Sequence, residues 1–154
     1  MPFLIGGIGM VLVARNSDRT GERKFHVVAM MVLAAVGLFG TIMFVDTPWV
    51  ALGFLSMTAI GVLGYLAPYW AMASRVLTRA GTAVGLAAIN TIAAMGGFFG
   101  PYVIGKNATA DDVTIGLYFP IGCLLVAGVM LALVKLPRVA APVDTTKLVR
   151  PTNV

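Results

Sequence analysis

Residues 15–45 read RNSDRTGERKFHVVAMMVLAAVGLFGTIMFV, and the change of character inside this stretch decides the fold. Six of its first ten residues are charged, in a chain that has only 11 Lys and Arg and 6 Asp and Glu. From Val27 to Val45 there is then no charge for 19 residues. A membrane helix needs about 20 mostly apolar residues to cross about 30 Å of hydrocarbon. Residues 49–73, 82–105 and 113–134 are also uncharged and as long or longer. Four full spans are therefore expected. The connectors carry turn and cap residues. Asp46 or Thr47 suits the N-cap of a helix opened by Pro48, and Asp111 and Asp112 suit the start of the last span.

Composition agrees. The chain of 154 residues is 59% hydrophobic and 11% charged, against about 25% charged in soluble domains. Its mean hydropathy is +0.95. The fold class is all-α integral membrane, and the bilayer is the first expected partner. A net charge of +5 does not imply nucleic acid, because the basic residues sit at span ends and form no stripe. Cys123 is the single cysteine and His26 the single histidine, so neither a disulfide nor a metal cluster is expected, and no cofactor is called for.

Positive residues set the topology. With the charged stretch placed in the cytoplasm, Arg15, Arg19, Arg23, Lys24, Arg75 and Arg79 fall on that side, as do the four basic residues after Val134. Only Lys106 falls opposite. The polar tail, residues 137–154, is then cytoplasmic. Residues 1–14, MPFLIGGIGMVLVA, would rise only about 21 Å as a helix, so they are expected to be the second part of a span begun upstream. The sequence has the charge pattern of no secretory signal, since charge follows this run instead of preceding it.

The order of residues within 14–24, ARNSDRTGERK, adds more. Gly21 supplies a residue tolerant of positive φ for a tight turn between helices, and Asp18 is placed to pair with Arg19 or Arg23, or to sit at a helix N-terminus. Asp18, Arg19, Gly21 and Arg23 stand at the spacing of the G-x-x-x-D-R-x-G-R-[RK] loop of the major facilitator transporters, which this segment resembles, with Ala14 in place of the first Gly and Glu22 intruding. Residues 68–105, PYWAMASRVLTRAGTAVGLAAINTIAAMGGFFGPYVIG, resemble the anion:cation symporter branch of that superfamily, which includes tartrate, phthalate and sugar-acid permeases. The resemblance covers nearly all of residues 1–136. It implies the end of helix 8 and helices 9–12 of a twelve-helix transporter, part of the C-terminal six-helix half. It also places Asp18 near the start of the span at residues 81–83.

Within the spans, Asn90 is an amide about 12 Å from one end, costly unless paired. An interhelical hydrogen bond is one use for it, and contact with substrate in a central cavity is the other. In the resembled carriers an Asn in this context lines the cavity. Tyr69 and Trp70 follow Pro68 and suit an interfacial aromatic belt or a cavity gate. Gly96, Gly97 and Gly100, followed by Pro101, suit close helix packing or a hinge.

No span interior holds Asp, Glu, Lys, Arg or His. A proton-coupled carrier of an organic anion needs a titratable group and a cation at membrane depth, and the resemblance implies that these lie mainly in the N-terminal half and in helix 7. The expected function is the C-terminal part of a symporter for a small organic anion such as a sugar acid or dicarboxylate, not competent alone, with the N-terminal half and a proton or other cation as partners. The competing expectation is a self-contained helical membrane protein without transport activity. No HExxH or GxSxG suggests an enzyme.

Overall fold

The computed structural model describes residues 2–76, 81–107 and 114–135. The described residues are helical and contain no strand. The helices are α1 (Pro2–Thr20), α2 (Arg23–Met43), α3 (Pro48–Gly64), α4 (Leu66–Val76), α5 (Thr82–Asn107) and α6 (Tyr118–Leu133), the last preceded by a 3-10 turn over Thr114–Leu117. Four stretches are long and apolar enough to cross a membrane: Arg23–Met43, Pro48–Ser74, Thr82–Asn107 and Thr114–Leu133. They coincide with the four expected spans to within a few residues. Residues 77–80, 108–113 and 136–154 lie outside the description, and with them Arg79, the expected caps Asp111 and Asp112, and the tail.

Three departures from expectation have local causes. Helix α1 does not stop at Ala14 but runs on through Asp18 and Arg19 to Thr20, so the charged segment is a helical end and a turn, not a loop. At the start of α3, Thr47 occupies the N-cap with no side-chain cap hydrogen bond. The helix opens on Pro48 at N1, where no N–H needs a partner. The second span is broken at Tyr65. Pro68 has no N–H to offer the Gly64 carbonyl four residues back, and its ring crowds that carbonyl. The ladder restarts with the Tyr69 N–H donating to the Tyr65 carbonyl at 3.0 Å.

Helix α3 is the hub, flanked by α1 and α2, with α6 against the far side of α2. Glycine pairs three residues apart make this possible. A Cβ at Gly37 would stand 2.6 Å from Thr58 Oγ1 and 2.8 Å from the Phe54 carbonyl oxygen. One at Gly61 would stand 2.6 Å from both the Ala34 nitrogen and the Met30 oxygen. A Cβ at Gly6 would stand 3.0 Å from the Ala59 backbone and one at Gly9 2.8 Å from the Ile60 side chain, and Gly40 lies on the Phe54 ring. Around these contacts Val27, Ala34, Ala35 and Ile42 are buried, while Phe3, Leu4, Trp49, Val84 and Leu133 point outward. Small residues inside and large apolar ones outside suit a lipid surround, where tight backbone approach drives association. Helix α5 has no buried residue.

Replacing Gly61 by Ala should separate α2 from α3 and cost about 1–3 kcal/mol, because backbone atoms cannot yield as a side chain would. Gly53→Ala, at a position with nothing within 4 Å, should be neutral or slightly stabilising. Thermal unfolding in a mild detergent measures both.

Candidate functional site

Two regions hold the residues singled out by the sequence: the charged end of α1 and α2, and the faces of α4 and α5.

At the charged end, Gly21 has φ +71°, and its N–H closes α1 by donating to the Ser17 carbonyl at 3.0 Å. This left-handed residue turns the chain at once into α2. The first turn of α2 contains Arg23 and Lys24 and no acid. Cations there oppose the helix dipole, and each is answered by another helix. Arg23 Nη2 donates to Asp18 Oδ1 of α1 at 3.1 Å. Lys24 Nζ donates to the Ala132 and Val134 carbonyls at the end of α6, both at 2.7 Å. Those carbonyls end a helix and lack intrahelical donors, so an ammonium suits them doubly. The Asp18 carboxylate is largely exposed, which leaves the ion pair worth about 0.2–1 kcal/mol. His26 adds a further tie. Its Nδ1 lies 2.6 Å from the Glu22 carbonyl and so carries the proton there, leaving Nε2 to accept from Asn16 Nδ2 at 3.0 Å. Three helices, α1, α2 and α6, are thus clamped at one end.

Among the described residues α1 makes no contact with α5, near whose start the resemblance places Asp18, and α1 meets α4 instead. A cavity of about 60 Å³ there is lined by Ala14, Ser17, Asp18, Ala67, Pro68 and Ala71. Ser17 is 1% exposed, and its hydroxyl has no partner among the described residues. The cavity has room for one or two waters that would satisfy it.

On α4, Tyr69 sits between two aromatic neighbours. Its ring centroid is 5.4 Å from that of Trp70 and 6.3 Å from that of Tyr65, both edge to face. On α5, Asn90 is exposed and has no hydrogen bond among the described residues. No hydrogen bond joins it to Tyr69 or Trp70. Among the described residues a Cβ at Gly96, Gly97 or Gly100 would meet nothing within 4 Å. Pro101 leaves α5 continuous, so the proline that breaks a helix is Pro68. Sequence reasoning weighted glycines four apart and passed over the pairs three apart, 6/9, 37/40 and 61/64, which make the contacts. It also passed over Lys24, whose position in the first turn of an otherwise acid-free helix was the available signal.

Four helices long and apolar enough to span a bilayer, the first two in chain order packed on each other through glycine, define a multi-pass α-helical membrane protein. Comparison with known proteins narrows the class. The chain is 38% identical over 131 residues to a putative tartrate transporter of Agrobacterium vitis, covering 84% of this chain and 29% of that relative. It is 32% identical over 121 residues to a quinolone resistance transporter of Acinetobacter baumannii, covering 77% and 27%. It is 30% identical over 149 residues to the inner membrane transport protein RhmT of Escherichia coli strain K12, covering 94% and 33%. The chain is thus similar to a part of these proteins, all named as transporters or transport proteins, and spans about a third or less of their length. The resemblance to transporters carried by residues 14–24 and 68–105 is borne out. No family model and no solved structure matches the chain.

Lys24→Gln should loosen the end of α6. Amide exchange at Val134, whose N–H donates to the Met130 carbonyl, should quicken roughly fivefold for a charge–dipole contact of about 1 kcal/mol, with Lys24→Arg close to the parent. Hydrogen-exchange mass spectrometry of the segment around residues 130–134 reads the change.

Proposed function

We propose that this chain forms the C-terminal part of a secondary active transporter of the major facilitator superfamily, one that moves a small organic anion such as a sugar acid or dicarboxylate together with a proton or other cation. The observation that carries the reading is the 131-residue match to a putative tartrate transporter, which takes in 84% of the chain. The exposed face of α5 supports it: Asn90 and three glycines lie open on a helix long enough to span the bilayer. Such a face suits a helix that meets both substrate and a second helical half across a central cavity. The chain alone is then not transport-competent, because alternating access needs one half to rock against another. In this reading Asn90 contacts substrate and Tyr69 and Trp70 flank the cavity's charged-end mouth. That end faces the cytoplasm of a bacterial inner membrane, in keeping with the ten-to-one sorting of basic residues.

A chimera tests this. The matched segment of the tartrate transporter is replaced by this chain, and uptake of labelled tartrate and related acids is followed in proteoliposomes under a proton gradient. Uptake by the chimera, and none by the chain alone, is the expected result. Asn90→Ala in the chimera should lower kcat/KM by about tenfold or more, the cost of a hydrogen bond to a charged ligand. A correctly inserted chimera that moves no organic anion, or one indifferent to Asn90→Ala, overturns the corresponding part of the reading. A fluorescent reporter fused after Val154 should be bright, as cytoplasmic reporters are, and a periplasm-dependent one inactive.

A further inference from the structure

The charged end of α1 and α2 holds four cations, and the fold uses only two of them. Arg23 is committed to Asp18, and Lys24 to the carbonyls of α6. Arg15 and Arg19 are exposed, and neither guanidinium has a hydrogen bond or ion pair among the described residues.

Their placement on α1 is specific. Residues four apart on a helix stack on one face, about 6 Å apart along the axis. Arg15 and Arg19 therefore stand together. They also continue a line. At 100° per residue, Leu4, Ile8 and Leu12 fall within about 80° of one another, and Arg15 and Arg19 fall inside that same arc. Leu4 is 69% exposed, Ile8 66% and Leu12 61%, so this is the outward face of α1. The opposite face carries Gly6, Gly9 and Ser17 against the bundle. An outward strip of large apolar residues belongs in hydrocarbon. It ends at Leu12, and Arg15 follows about 5 Å further on, with Arg19 about 6 Å beyond that. The headgroup layer on each side of a bilayer is about 5–8 Å deep. The two arginines span that layer.

We propose that Arg15 and Arg19 form a binding site for the phosphate of an anionic phospholipid, whose acyl chains lie along Leu4, Ile8 and Leu12. Two guanidinium forks on one side of a phosphate give charge-assisted hydrogen bonds that neither Arg23 nor Lys24, already engaged, is free to offer. The site depends on the chain spanning a membrane and is independent of what is transported. Its effect is to hold the end of α1 at a fixed depth while the clamp beside it holds α1 to α2 and α6.

Phosphatidylglycerol titrated into the purified chain in mild detergent, with bound lipid counted by native mass spectrometry, tests the proposal, with phosphatidylcholine as the comparison lipid. Juxtamembrane cations contribute about 1 kcal/mol each at an anionic surface, which is roughly a fivefold change in affinity. The double variant Arg15→Gln/Arg19→Gln should therefore lose phosphatidylglycerol affinity roughly 25-fold and leave phosphatidylcholine binding unchanged. Arg15→Lys/Arg19→Lys keeps the charge and should retain most of the affinity, which separates loss of the site from loss of the fold. Arg23→Gln and Lys24→Gln should bind phosphatidylglycerol as the parent does. Equal binding by the double Gln variant, or an equal loss in the Arg23 and Lys24 variants, would each overturn the proposal.

Discussion

The backbone of α3 lies against the backbone of α2 at Gly61, and the remainder of the bundle depends on that approach. In hydrocarbon, apolar side chains gain little by leaving lipid for protein, so helices associate through close van der Waals contact and polar ties. A Cβ at Gly61 would already stand 2.6 Å from the backbone of α2. The same logic recurs at Gly37, and on the α1 side at Gly6 and Gly9. Helix α3 can therefore sit between α1 and α2 with backbone nearly touching backbone, and large side chains are left for the lipid-facing exterior. Helix α6 approaches less closely, with a Cβ at Gly128 meeting only the Met31 Cβ at 3.9 Å. It is the helix that Lys24 ties at its end. Steric closeness holds the inner three helices, and a charged hydrogen-bonded cap adds to the hold on the outer one.

Polar chemistry is concentrated where the bundle can support it. The first turn of α2 carries two cations against its own dipole, an arrangement that makes sense only with α1 and α6 in place. Each cation thus links formation of one helix end to docking of another. The spans themselves contain mostly local polar bonds, such as Thr41, Ser56, Thr58 and Thr91 hydroxyls donating to carbonyls one turn back. Asn90 is the exception: an exposed amide on α5 with no such local bond.

The spans were legible in the sequence because hydrocarbon imposes a length and forbids charge, and both are visible without coordinates. The turn at Gly21 was legible because a positive φ selects glycine. Less legible was anything set by a partner helix. Pro68 was read as the start of an aromatic end, yet its missing N–H leaves the Gly64 carbonyl, four residues back, without a donor, and the span breaks at Tyr65. Charge alone suggested that helix ended at Ala14, but α1 continues because its last charged turn is solvated and shaped by pairing across Gly21. The resemblance places Asp18 near the start of α5, and nothing in the sequence signalled that it also lines a cavity with Ala67, Pro68 and Ala71 of α4. Glycine contacts were sought at Gly96 and Gly100 and occur instead at pairs three apart, since which glycines meet a neighbour depends on helix register, and one helix's sequence does not contain its neighbour's.

The break at Tyr65 makes the second span mechanically uneven. Its first part, α3, is held by glycine contacts on two sides. Its second part, α4, is 11 residues long, about 16 Å, and is joined to α3 through a residue where the hydrogen-bond ladder lapses. A rigid rod of that length pivoting by about 10° at Tyr65 carries its far tip about 3 Å. Tyr69 and Trp70, lying a third of the way along, sweep only about 1 Å for the same rotation. The span is thus a lever with its fulcrum inside the bilayer: small angular changes at the fulcrum barely disturb the aromatic cluster beside it, and are magnified at the membrane surface.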